Sequence, residues 1–179
     1  MRKVNIAEVA EIKKTKEGRI GFRRPISEAL GRQPQSTDQL QRHPFDVEIL
    51  RVPPRSVPYR YHSHSAQWEY YQVVSGSGVV RHAQGETPVV EGEAFLFKPG
   101  EPHQVRNDSD MDLVVLIVAD NPIGESYYYP DDGMWIVNSP EPHYVTLPRT
   151  RRSTMKSNAL GSSFGPRRAA RCYNETHAY

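Results

Sequence analysis

The chain has a single cysteine, Cys172, so no disulfide can form within it. Its longest apolar stretch, Leu113-Val114-Val115-Leu116-Ile117-Val118-Ala119, is far too short to span a bilayer as a helix. The opening residues, Met1-Arg2-Lys3-Val4-Asn5-Ile6-Ala7-Glu8, lack the apolar centre of a secretory signal. No helix-turn-helix pattern precedes residue 45, which argues against a DNA-reading module fused there. A cytoplasmic protein with no membrane or nucleic-acid partner is the expectation.

Charge of one sign is also missing. The formal charge is +2, but it is unevenly spread. Residues 150–179 hold six Lys or Arg against the single acid Glu175, while the rest has 17 basic and 20 acidic residues. The body is mildly acidic and the tail basic. The tail has few apolar residues to bury and reads as flexible and solvated. Without interleaved aromatics it does not read as a nucleic-acid surface.

Fifteen prolines and twelve glycines favour a turn-rich all-β chain over a helical bundle. Phe45 to Val52 alternates apolar and polar residues, as a half-buried strand does. Further strands are expected over Val57–His64, Glu69–Val74, Val79–His82, Thr87–Val90, Ala94–Phe97, His103–Arg106 and Leu113–Val118. Short strands with Gly, Pro, Asn and Asp between them fit a small jelly-roll barrel. We divide the chain into an N-terminal arm (1–44), a barrel core (45–120), a C-terminal extension of the barrel (121–148) and the basic tail (149–179). In the arm, Ile26 to Gly31 reads as a helical turn ended by glycine, and Gln33 to Arg42 as loop. Tyr127–Pro130 and Met134–Val137 read as an edge strand or a flap.

Four residues carry the chemistry: His62, His64, Glu69 and His103. Side chains alternate along a strand, so His62 and His64 point the same way. Glu69 follows after enough chain to enter the next strand. His103 follows Lys98-Pro99-Gly100-Glu101-Pro102, a tight-turn sequence. Three imidazoles and a carboxylate suit a divalent transition metal: Fe(II) or Mn(II) foremost, with Zn(II), Ni(II), Co(II) or Cu(II) as alternatives. Four protein ligands leave an octahedral ion two open positions. Glu141-Pro142-His143 repeats the string around His103, but no H-x-H accompanies it, and chance is the better account.

The same parity turns Arg60 inward with His62 and His64, and Tyr59 outward. Arg60 would then either anchor an anionic substrate or pair with Glu48 or another acid. Glu69, Tyr71 and Val73 share a face, as do His103 and Val105. Arg60, Gln67, Tyr71 and Gln104 are the expected substrate-side residues, with Gln67 and Gln104 as partners of the ligating imidazoles. Trp68, Phe97 and Trp135 are candidate pocket walls.

The two segments resemble the motifs of the cupin superfamily. The first, G-x5-H-x-H-x3-4-E-x6-G, matches at His62, His64, Glu69 and Gly76, with Ser56 in place of the leading glycine. The second, G-x5-P-x-G-x2-H-x3-N, matches at Gly92, Gly100, His103 and Asn107, with Lys98 in place of its proline. The resemblance covers roughly residues 45–120. It implies a double-stranded β-helix of the single-domain kind and makes the same four residues metal ligands. It leaves the reaction open, because one barrel hosts many chemistries. The expectation is an enzyme acting on a small anionic organic molecule, dioxygenase-like first. The alternatives are a non-catalytic binding or sensing protein and a sugar-phosphate-isomerase-like enzyme. A homodimer is expected, with the arm exchanged between subunits.

Overall fold

The computed structural model describes residues 1–137 and the backbone of 143–146. Among them are thirteen strands and only single-turn helices. No helix among the described residues is long and apolar enough to cross a membrane. The strands are β1 (Ile12–Lys16), β2 (Arg19–Pro25), β3 (Phe45–Val52), β4 (Ser63–His64), β5 (Glu69–Ser75), β6 (Ser77–His82) and β7 (Gly85–Val90). They continue as β8 (Ala94–Phe97), β9 (His103–Arg106), β10 (Leu113–Asp120), β11 (Ser126–Tyr129), β12 (Met134–Val137) and β13 (His143–Thr146).

Every pairing is antiparallel. One six-stranded sheet runs β1-β2-β3-β10-β5-β8; smaller sheets run β13-β12-β11-β4 and β7-β6-β9. The result is the jelly-roll barrel that the alternating segments call for. β10 is its central strand, flanked by β3 and β5. Its burial alternates residue by residue, so Leu113, Val115, Ile117 and Ala119 face the lumen. They meet Leu50 and Val52 from β3, Tyr71 and Val73 from β5, and Val80 and Val105 from β6 and β9. Burying an aliphatic side chain contributes about 1.5–3 kcal/mol, so this interior is the main source of stability.

Three residues at motif positions serve the barrel's own backbone. Gly76 sits at φ +83°, and a Cβ there would lie 2.3 Å from the Asp112 carbonyl oxygen; only glycine fits. Asn107 is buried and donates to the carbonyls of Val52 (2.8 Å) and Met111 (2.7 Å). Ser56, standing where the motif has glycine, accepts from the Asn107 backbone N–H at 2.9 Å.

In the N-terminal arm, β1 and β2 extend the main sheet beyond β3 through the pairing of β2 with β3. Glu17 (φ 52°) and Gly18 (φ 79°) close the β1–β2 hairpin with the two left-handed residues that a tight hairpin turn requires. Helix α1 (Ile26–Ala29) occupies the expected helical turn, and α2 (Gln39–Arg42) interrupts the segment read as loop. The expectation for the tail, residues 149–179, lies outside the described residues.

Candidate metal centre

Three strand ends and one isolated β-bridge bring the four sequence-predicted ligands together. His64 ends β4, Glu69 opens β5 and His103 opens β9, while His62 bridges to His103 just ahead of β4. His62 and His103 exchange backbone hydrogen bonds of 3.1 and 2.7 Å, and the Gly100 N–H donates to the His64 carbonyl at 2.8 Å. The Pro-Gly turn thus fastens the second motif to the first.

The imidazoles all point Nε2 at one place. His62 Nε2 is 3.2 Å from His64 Nε2. Glu69 Oε2 is 2.7 Å from His103 Nε2 and 3.3 Å from His64 Nε2. The four donor atoms all lie within 4.8 Å of one another. On the far side of the rings, His62 Nδ1 meets the Arg60 carbonyl (2.8 Å) and His103 Nδ1 the Glu101 carbonyl (3.0 Å). Those carbonyls select the Nδ1–H tautomer, which leaves the Nε2 lone pairs facing each other and a carboxylate oxygen. Such lone pairs repel unless a cation sits among them. Ligand distances of about 2.0–2.2 Å need donors about 3–4 Å apart, so the set fits a divalent ion with small side-chain adjustment.

The surroundings reinforce the donors. Tyr71 donates to Glu69 Oε2 at 3.0 Å, and Phe97 lies flat against His103, with ring centroids 4.0 Å apart. Glu125, buried before β11, accepts from the backbone N–H groups of Ser65 (2.8 Å) and Ala66 (3.0 Å). Its Oε1 stands 3.5 Å from His64 Nδ1, ion-pair rather than hydrogen-bond distance. Without an ion, burial and the neighbouring His103 ring push His62 down to about 4. Burial also opposes charge on His64, but Glu125 and Glu69 outweigh it and raise that ring to about 9. Burial likewise disfavours the Glu69 anion, yet His103 and His64 hold it well below the ordinary carboxylate range.

Three of the donors, His62, His64 and Glu69, line a cavity of about 750 Å³, and His103 is buried behind them. Arg60, Gln67 and Tyr71 are in its wall; Gln104 is not, because it donates to the Tyr59 carbonyl at 2.7 Å. Gln67 is fixed by donating to the Asp120 carbonyl. Arg60 lies at the rim, bridging Glu17 (3.0 Å) and Asp132 (3.3 Å) rather than Glu48. Tyr59 does not face away as strand parity implied. The chain bends at Tyr59 and Tyr61, and the Tyr59 hydroxyl turns in to stand 3.4 Å from the Tyr71 hydroxyl. Trp68 is largely exposed, and Trp135 packs on Tyr128. Tyr127 and Tyr129 of β11 wall the cavity instead. Ser126–Tyr129 has no apolar/polar alternation that could flag Tyr127, and nothing in the sequence pairs β11 with β4. His143 falls where only the backbone is described.

Fold and site together define a jelly-roll barrel with a His/Glu cluster that could hold a metal ion. Residues 48–119 match the family model of the cupin domain, so the chain carries a cupin domain. No curated protein matches the sequence. Among solved structures it is similar to a sugar phosphate isomerase of the cupin superfamily from Silicibacter pomeroyi, at 23% identity, covering 80% of this chain and 92% of that one, with a TM-score of 0.68. It is also similar to a candidate sugar phosphate isomerase from Acidithiobacillus ferrooxidans, at 21% identity, covering 78% and 86%, with a TM-score of 0.68. A third is the polyketide cyclase RemF from Streptomyces resistomycificus, at 20% identity, covering 83% and 88%, with a TM-score of 0.55. Likeness at these identities is likeness of fold, and the activities named for these proteins already diverge.

Proposed function

We propose that the chain is a divalent-metal-dependent enzyme acting on a small anionic organic molecule. The observation that carries this reading is a cluster of four candidate metal donors, three of which open on a cavity that Lys16, Arg19 and Arg60 also line. The lining holds five basic and five acidic side chains, so a divalent ion leaves the cavity with excess positive charge. An anion entering there displaces Glu17 from Arg60. That pair is solvent-exposed, so the exchange costs little.

A bound metal supplies Lewis acidity and, if it is iron or manganese, one-electron chemistry. The chain's own residues do the rest. Arg60 offers a fork for a carboxylate or phosphate. The Tyr127 phenol, pushed up to about 12 by burial, keeps its proton and is a donor for a substrate oxygen. Phe97 and Tyr59 shield the site from water. We favour a dioxygenase-like reaction, because four protein ligands leave room for a substrate and a second small molecule side by side. The second reading is isomerisation. It is favoured by Glu48, a carboxyl facing the cavity that burial raises to about 7, suited to proton transfer near neutrality. Isomerase is also the word attached to two similar folds.

The test is metal-reconstituted protein assayed for O₂ uptake with aromatic and short-chain acids, and for interconversion of sugar phosphates. Metal- and acid-dependent O₂ uptake supports the first reading, and isomer exchange without O₂ the second. A ligand that raises the melting temperature without being consumed would make the protein a binder.

A homodimer remains a proposal, on a different motive from arm exchange. Tyr70 and Leu96 are cross-strand partners on the outer face of β5 and β8, and both are exposed beside Val74. A monomer mass at all concentrations in light scattering would rule it out.

A further inference from the structure

Two carboxylates inside the barrel take no part in the metal centre. Asp46 and Glu48 project from β3 into the same cavity wall as Glu69 and Tyr71. The register runs Asp46–Ala119–Glu69 on one rung and Glu48–Ile117–Tyr71 on the next. Adjacent strands are about 4.8 Å apart, so the two carboxylates stand roughly 10 Å along the wall from the metal-side residues. A molecule of about six carbons held at the metal spans that distance.

Below these rungs the lumen is apolar, filled by Leu50, Val52, Val73, Val115 and Leu113. Charged groups on the next rungs are costly unless compensated. Their charge is compensated: Arg23 Nε donates to Glu48 Oε2 at 2.6 Å, and Arg32 Nη1 lies 3.0 Å from Asp46 Oδ2. Ion pairing, which Arg23 and Arg32 also extend to Glu28, leaves only a small net negative charge on this wall. It does not exhaust the carboxylates, each of which offers about four lone-pair sites. What such a surface still accepts is a hydroxyl hydrogen, and Arg32 and Arg42 in the same wall carry donors for hydroxyl oxygens. An apolar or aromatic acid pressed against it would strip water from these groups and return no hydrogen bonds.

We infer that this wall recognises hydroxyl groups, so that the ligand of the metal centre is a polyhydroxylated organic anion, with its hydroxyls on Asp46, Glu48 and Arg32. The inference rests on the anion-binding reading above and narrows it.

Calorimetric titration of Mn(II)-loaded protein with D-gluconate and with 2-hydroxyhexanoate tests it. Both probes are six-carbon 2-hydroxy monocarboxylates and engage a metal in the same way; only gluconate has hydroxyls along the rest of the chain. Gluconate should bind at least about tenfold more tightly, since a site built for hydroxyls rejects analogues lacking them. Asp46→Asn and Glu48→Gln should each lower that ratio without changing manganese content. Equal affinities in the wild type would overturn the inference and leave the anion reading standing. If neither probe binds the loaded protein, the anion reading fails and the inference with it. The wild-type ratio decides the matter even if a variant does not fold.

Discussion

The Tyr71 hydroxyl donates at 3.0 Å to Glu69 Oε2, the carboxylate oxygen on which His64 and His103 also converge. Tyr71 is buried in the barrel core, so the hydrogen bond fixes the carboxylate from beneath the site. Removing an outer partner of a metal ligand typically costs 10–100-fold in affinity. Tyr71→Phe should therefore weaken metal binding by about tenfold and leave the fold intact. A competition titration against a chelator measures this. Unchanged affinity would show that Glu69 is held by other means.

Glu48 gives a pH signature. Burial raises it from 4.5 to about 7, overcoming the attraction of Arg23. Between those values the folded protein holds a proton that the unfolded chain has released, so this group's contribution to stability falls as pH rises through that window. Glu48→Gln has no such proton. The variant's melting temperature relative to wild type should be higher at pH 8 than at pH 5. The same difference at both values would show that Glu48 is not raised.

Gly76 tests the barrel rather than the site. A side chain there meets the Asp112 carbonyl and a left-handed backbone together. Gly76→Ala should cost about 2 kcal/mol or more, a fall of roughly 4–8 °C in melting temperature. Thermal unfolding of the two proteins is the check.

Deleting residues 150–179 should leave melting temperature and metal content nearly unchanged. The four donors and the cavity lie within residues 16–136, and the tail's composition has little to bury. A loss of several degrees would show that the tail contributes to the fold.

What the sequence reveals here depends on distance along the chain. The extent of β3 is legible from the alternation over Phe45–Ile49, but its facing is not, because the alternation slips at Ile49-Leu50 and only Leu50 and Val52 are buried. The four candidate ligands are legible because His62, His64 and Glu69 share one compact segment and His103 follows a tight turn in a second. The strand expected over Val57–His64 is broken by a bend, so parity misplaces Tyr59. β1 is exposed along its length and carries no burial pattern to read. Glu125 lies 60 residues beyond Ser65, and only the pairing of β11 with β4 brings it behind His64. The polar rungs at Asp46 and Glu48 look like the outward positions of an ordinary strand until Arg23 and Arg32 are placed beside them.

The central claim is that His62, His64, Glu69 and His103 together hold one divalent ion. Elemental analysis of protein reconstituted with Mn(II) or Fe(II) under anaerobic conditions tests it most directly, comparing wild type with His62→Ala, His64→Ala, Glu69→Gln and His103→Ala. The account predicts close to one ion per chain in the wild type and a loss of most of it in each variant. Equal metal content in wild type and His103→Ala, with both proteins folded, would contradict it.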